Sequence, residues 1–381
     1  MKNIITLTIT INILVCSLFS WYFLLPVYLK TLGASEKVIN IAYFLFNLTF
    51  YIGQIPGGVL SDKLGRKPVI VATTLLYALS GYGMYLSSNW LEASIFYSLA
   101  CISSSVQLPA IYAMIFESQK RRGFSFGMTS FSYNLGIALG PLLGAFLIKK
   151  GNIRDLLLLY SVTALIVSIL RLTFLEETLS RQQKLKEKDK IKIGRQELLI
   201  LTGGIFFFLS VSLTINGPYI SLFLKEGLSL SEQEINLTFT KIGIATALTC
   251  LVLGKIIDFV DSAKTWAITS FLHPLTLFLW SYYFKLSMGI LIISCILAEA
   301  AYIAHPILVS RMFPKEQRGK GLGFFGFITG SIGSVSPLLV NLFDDKKSLY
   351  TPFVLATLFG FLSFWFIIKS GGGLKNEPQQ K

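Results

Sequence analysis

An all-α membrane protein is the fold class this sequence predicts: twelve transmembrane helices in two pseudo-symmetric six-helix halves. Three observations predict it. Hydrophobic residues make up 53% of the 381 and charged residues only 14%, which excludes an ordinary soluble domain. Twelve stretches are long and apolar enough for a hydrocarbon core that takes about 20 residues of helix to cross. The second half of the chain also repeats landmarks of the first at one fixed offset.

The spans centre near residues 16, 47, 78, 104, 136, 164, 210, 245, 275, 300, 331 and 358. Met1-Lys2 followed by an apolar run imitates a signal peptide. The run from Ile4 to Leu29 is too long for that, and no small-x-small cleavage site follows, so it is read as the first span. The eighth span carries Lys241, and His273-Pro274 interrupts the ninth. No alternating ten-residue segments appear, which disfavours a β-barrel. A helical bundle then remains as the way to pair every backbone group in lipid. Cys16, Cys101, Cys250 and Cys295 all fall inside spans without metal-ligand spacing, and read as small packing residues.

The repeat is an offset of 196. Gly58 and Asp62 recur at Gly254 and Asp258, Arg122 and Gly123 at Arg318 and Gly319, Gly127 at Gly323, and Pro141 at Pro337. A duplication of this size means two six-helix units. The expected domains are an N-terminal bundle over 1–175, a basic cytoplasmic linker over 176–196, a C-terminal bundle over 197–369 and a disordered cytoplasmic tail over 370–381.

A net charge of +14 invites a nucleic-acid reading, but its placement argues against one. With both termini on one side, the termini and the even-to-odd loops hold 24 of the 34 Lys and Arg. That asymmetry is the positive-inside pattern and predicts cytoplasmic termini. The basic run from Arg181 to Arg195 is expected to touch anionic lipid headgroups.

Gly58 to Pro68, GVLSDKLGRKP, lies in the short gap between the second and third spans. Gly58, Asp62, Lys63, Gly65, Arg66 and Lys67 resemble the cytoplasmic loop signature of the major facilitator superfamily, G-x-x-x-D-[RK]-x-G-[RK]-[RK]. The second copy is worn, with Phe259, Val260 and Asp261 where the first has Lys63, Leu64 and Gly65. Glycine at the Gly58 turn suits a tight helix end and close backbone approach. The resemblance implies that Asp62, Arg66 and Glu117, at the end of the fourth span, lock the cytoplasmic ends of the halves together. It implies corresponding gating positions at Asp258 and Arg318.

The fifth span carries Gly136, Gly140, Pro141, Gly144 and Ala145. This resembles the family's G-x-x-x-G-P-x-x-G-G element, associated with antiporters, with Ala145 replacing the last glycine. Small residues four apart let helices pack backbone to backbone, and Pro141 bends its helix. One departure stands out. The arginine usually found about ten residues before Pro109 is missing, and Leu99, Ala100 and Cys101 stand there.

Two ionisable residues stand at membrane depth in the tenth span, Glu299 and His305. An intramembrane carboxylate is costly, about 2.5–3.5 kcal/mol for Asp on insertion scales, and marks a functional position. Glu299 is the candidate carrier of the coupling proton or of a cationic group on the substrate. Six residues of helix put His305 on another face, where a structural role is the simpler expectation. Asn12, Tyr22, Tyr51, Gln54, Gln107, Asn134, Asn216 and Tyr219 are the candidate cavity lining, each equally suited to join helices.

No phosphate loop or HExxH occurs, and the sequence predicts no enzyme, no cofactor and no metal site. The resemblance implies a monomeric secondary transporter of the plasma (inner) membrane, working by alternating access. Its expected partners are a small-molecule substrate, membrane lipids and protons. The expected activity is export of a small amphipathic organic solute against protons. The alternative is a sugar or metabolite carrier, and a distant one is a non-transporting membrane sensor or scaffold.

Overall fold

The computed structural model describes residues 2–118, 122–149, 151–179, 194–283, 287–313, 318–343 and 349–371. The helices are α1 (Lys2–Tyr22), α2 (Leu25–Thr31), α3 (Glu36–Ile52), α4 (Gln54–Leu64), α5 (Arg66–Leu86), α6 (Trp90–Ser118), α7 (Arg122–Ile148) and α8 (Ile153–Phe174). They continue as α9 (Arg195–Ser212), α10 (Tyr219–Leu222), α11 (Glu232–Phe259), α12 (Ser262–Tyr282), α13 (Met288–Arg311), α14 (Arg318–Gly333), α15 (Ser336–Val340) and α16 (Thr351–Lys369). A wide π-helical turn, Phe223–Gly227, follows α10. The described residues contain no strand.

Ten segments of the described residues are long and apolar enough to cross a membrane, with α3 and α4 joined as Glu36–Leu64 and α14 and α15 as Leu322–Val340. The other two expected spans are the long helices α11 and α12. His273-Pro274 was expected to interrupt the ninth span. Instead α12 runs unbroken from Ser262 to Tyr282 with Pro274 inside it. Buried polar contacts surround this point. His273 Nδ1 donates to Ser294 O at 2.9 Å, Nε2 meets the Thr214 hydroxyl at 3.0 Å, and Thr357 Oγ1 donates to Pro274 O at 3.1 Å.

The buried faces of the helices mix polar with apolar residues, while their exposed faces are apolar. Along α1, Ile5, Ile9 and Ile13 are exposed while Thr10, Ser17 and Ser20 are buried. Along α8, Leu165, Ile169 and Leu172 are exposed while Ser161, Ser168 and Arg171 are buried. Water would penalise that exposed face, whereas lipid tails accept it, so close packing and hydrogen bonds hold the helices together.

Contacts divide the chain into two compact units. One holds Met1–Leu185 and Ser221–Ala247, the other Lys186–Ile220 and Leu248–Lys381. In the first unit, Phe23 and Phe239 stack with ring centroids 3.7 Å apart, and Asn236 Nδ2 donates to Ser20 O at 2.9 Å. Lys30 on α2 pairs with Glu226 of the π-helical turn. In the second unit, α9, α12, α13, α14 and α16 surround a core of Phe207, Trp266, Trp280, Phe325 and Phe353. Of the expected boundaries, the linker residues 180–193 and the tail from 372 onward lie outside the described residues.

Candidate functional site

The loop signature folds into a dense ionic and capping cluster. Arg66 opens α5, and its side chain is only 8% exposed. Its Nη1 donates to Asp62 Oδ1 at 2.6 Å and to Ser61 Oγ at 2.9 Å, and its Nη2 to Glu117 Oε1 at 3.1 Å. Thr178 Oγ1 donates to Glu117 Oε2 at 2.6 Å. The structure therefore brings Asp62, Arg66 and Glu117 together from α4, α5 and α6.

Glu177 completes the cluster, a residue that motif reading missed. Its Oε1 accepts from the backbone N–H of Arg66 at 3.0 Å and of Leu179 at 2.9 Å, and its Oε2 from that of Lys67 at 3.1 Å. A carboxylate here satisfies donors that a helix N-terminus leaves unpaired. Burial opposes the charge, but the backbone donors outweigh it and hold the carboxyl below the usual carboxylate range. Gly65 makes room, since a Cβ there would stand 2.5 Å from Glu177 Oε2. Its φ of +104° and ψ of 159° belong to a region essentially reserved for glycine.

Gly58 does not do the packing expected of it. It lies inside α4, and no heavy atom stands within 4 Å of where its Cβ would be. The close approach belongs to its neighbour Gly57, whose Cβ would stand 2.6 Å from Val106 Cα, and the tight helix end belongs to Gly65.

The fifth-span element packs α7 directly on α1. A Cβ at Gly136 would stand 2.8 Å from Val15 Cγ1, and one at Gly140 2.7 Å from Cys16 O. One at Gly144 would overlap Ser20 O. Pro141 sits inside the helix, and Ala145 is buried. Asn12 Nδ2 donates to Ser132 O at 3.0 Å across the same interface, so Asn12 joins helices.

Tyr22 packs its ring on Phe19 and Phe23, Tyr51 is buried against Phe50, and Gln54 and Asn134 are half-buried. Gln107 is different. Its Nε2 donates to Thr73 Oγ1 and Thr74 Oγ1, both at 3.0 Å, and its Oε1 accepts from Arg171 Nη1 at 3.2 Å. Arg171 is fully buried. Its Nη1 also donates to Thr74 Oγ1 at 2.7 Å and its Nε to Thr10 Oγ1 at 3.1 Å. Sequence reading missed Arg171 because it stands three residues from the end of α8, where a charge reads as interfacial. The available signal was geometric, since long helical side chains point toward the N-terminus.

In the second unit, Glu299 is half-buried on α13. His305, further along that helix, is ringed by Phe207, Phe208, Trp266, Tyr302 and Phe325, with centroids 5.6–6.4 Å away. Asn216 Nδ2 donates to Tyr302 OH at 3.2 Å, and Tyr219 is buried. Asp258 lies in α11 and Arg318 opens α14, but their side chains lie outside the described residues.

The sequence model of the Major Facilitator Superfamily matches residues 7–211 and 200–381. The chain belongs to this family. It is a multi-pass membrane protein with the family's fold, and it is a secondary transporter, not an enzyme. It is 24% identical over 316 residues to an uncharacterised MFS-type transporter of Methanocaldococcus jannaschii, covering 79% of this chain and 81% of that one. It is 25% identical over 230 residues to the quinolone resistance protein NorA of Staphylococcus aureus, a match spanning 59% of each chain. A bacterial homologue of the human lysosomal transporter Spinster, in an inward-facing and occupied conformation, has the same fold. The TM-score is 0.76 at 12% identity, over 97% of this chain and 96% of that one.

Proposed function

We propose that this protein exports a small amphipathic organic solute across the plasma membrane in exchange for protons, by alternating access between its two six-helix halves. The observation that carries the reading is the contact of α7 with α1. Gly136, Gly140 and Gly144 bring the helices to backbone contact beside Pro141, in an element that resembles the one associated with antiporters. The similarity to NorA supports efflux. The aromatic groups Tyr22, Tyr51 and Tyr219 suit an amphipathic solute. Glu299 carries the exchanged proton. Asp62, Arg66 and Glu117 hold one end of the bundle closed in the outward-open state, and Asp258 and Arg318 serve the second repeat. The protein acts as a monomer with both termini cytoplasmic, its basic 181–195 run against anionic lipid.

A sugar or metabolite carrier is the second reading, favoured by Leu99, Ala100 and Cys101 standing where the fourth-span arginine is usual. Proteoliposomes loaded with cationic dyes, drugs or sugars, with and without an imposed pH gradient, test the proposal. Gradient-dependent movement of amphipathic compounds is the expected result. Gradient-indifferent movement of sugars alone would overturn it.

A further inference from the structure

Arg171 is an intramembrane cation without a counter-charge. Every hydrogen bond found for its guanidinium goes to a neutral oxygen: Thr10 Oγ1, Thr74 Oγ1 or Gln107 Oε1. Its Nη2 is buried and has no hydrogen-bond partner, which leaves two charged N–H donors unspent. No carboxylate of this region can reach it from within the bundle. Every Asp and Glu of α1 to α8 stands within two residues of a helix end. Thr10 and Thr74 each stand eight residues inside their helices, roughly 12 Å at 1.5 Å per residue. A buried cation left unpaired is strongly destabilising, so a chain that keeps one has a use for it.

The surroundings place this cation against an apolar cluster. One turn toward the Asp62–Glu117 end lie Leu7, Ile70, Ala110, Ile111 and Leu175, which form one apolar cluster. Each of the four helical stretches thus pairs a polar residue with an apolar one a turn away: Thr10 with Leu7, Thr74 with Ile70, Gln107 with Ile111, and Arg171 with Leu175. That cluster forms an apolar plug between Arg171 and the Asp62–Glu117 end. One turn the other way Tyr77 and Ser103 are buried beside Leu14 and Val167. Gln107 cannot neutralise the arginine. Its amide is fixed by Thr73 and Thr74, and only its carbonyl oxygen faces the guanidinium.

We propose that Arg171, with Thr10, Thr74 and Gln107 holding it in place, is an anion-binding subsite that takes the carboxylate of the transported solute through Nη2. This rests on the exporter reading and narrows its substrate class to amphipathic organic acids and zwitterions. The plug prevents the anion from leaving toward the Asp62–Glu117 end while the cluster there is closed.

The test is ligand binding by the full-length purified protein, read as thermal-shift midpoints against three probes of one shape: 2-naphthoate, neutral 2-naphthamide and cationic 2-naphthylmethylamine. Chloride is titrated separately in sulfate buffer. The wild type is expected to bind 2-naphthoate at least tenfold more tightly than 2-naphthamide, and Arg171→Gln to lose that preference. Gln107→Glu supplies an internal carboxylate at the same position. It is expected to raise the melting temperature and to weaken 2-naphthoate binding at least tenfold. Equal binding of 2-naphthoate and 2-naphthamide by the wild type would overturn the proposal. So would an undiminished preference in Arg171→Gln and Gln107→Glu, or stabilisation by chloride with no preference among the three probes. Binding is read without transport, so a failure of gradient-driven movement counts against the exporter reading and leaves this result standing.

Discussion

Glu177 accepts the backbone N–H groups of Arg66 and Lys67 at 3.0 and 3.1 Å, and so caps the helix whose first side chain ties Asp62 to Glu117. One carboxylate therefore fixes the start of α5 while another two hold its arginine. Glu177→Ala removes the cap and is expected to cost about 1 kcal/mol, read as a lower melting temperature in detergent. Gly65→Ala is expected to cost more, about 1–3 kcal/mol, because its backbone conformation is strained and its Cβ meets Glu177 Oε2. An unchanged melting temperature in Gly65→Ala would contradict this account of the cap.

The same carboxylate gives a pH dependence with a definite sign. Its folded pKa lies below its unfolded one. The stability it supplies is present above the ordinary carboxylate pKa of about 4.3 and is lost as pH falls through the lower folded value. Melting temperatures measured from pH 6 downward are expected to fall less steeply below about pH 4.3 in Glu177→Gln than in the wild type. Parallel curves would contradict it.

The charges of the cluster are expected to act on transport more than on folding. Asp62 is more than half exposed, so its pair with Arg66 contributes little to stability. Reversal of either charge alone is expected to slow transport at least tenfold, and reversal of both to restore part of it. Full activity in both single variants would remove the gating role.

Adjacent glycines should behave in opposite ways. Gly57→Ala drives a Cβ into the Val106 backbone and is expected to cost about 1–3 kcal/mol. Gly58→Ala meets open space and is expected to leave the melting temperature unchanged or slightly raised. A larger loss at Gly58 than at Gly57 would show that the packing of α4 on α6 has been misread.

Much of this was legible in the sequence, because lipid makes helices from long apolar runs and because Asp62, Arg66, Gly136, Gly140 and Gly144 stand at spacings with a physical use. The unbroken α12 was not, since Pro274 reads as a breaker from sequence and the buried contacts of His273 with Ser294 and Thr214 come from distant segments. Glu177 was illegible because a cap from a distant segment leaves no local pattern. Arg171 was illegible because the sequence shows where a side chain starts and not how far back along its helix it reaches. Gly58 misled for the opposite reason, since its motif position says nothing about which of two adjacent glycines faces a neighbour.

In the exporter proposed above, solute movement is coupled to protons through Glu299. The most direct test is solute-driven proton flux in proteoliposomes carrying a pH-sensitive dye, compared between wild type and Glu299→Gln. Addition of an exported solute is expected to move protons in the wild type and none in Glu299→Gln. Solute movement without proton flux in the wild type, or equal flux in the variant, would contradict the account.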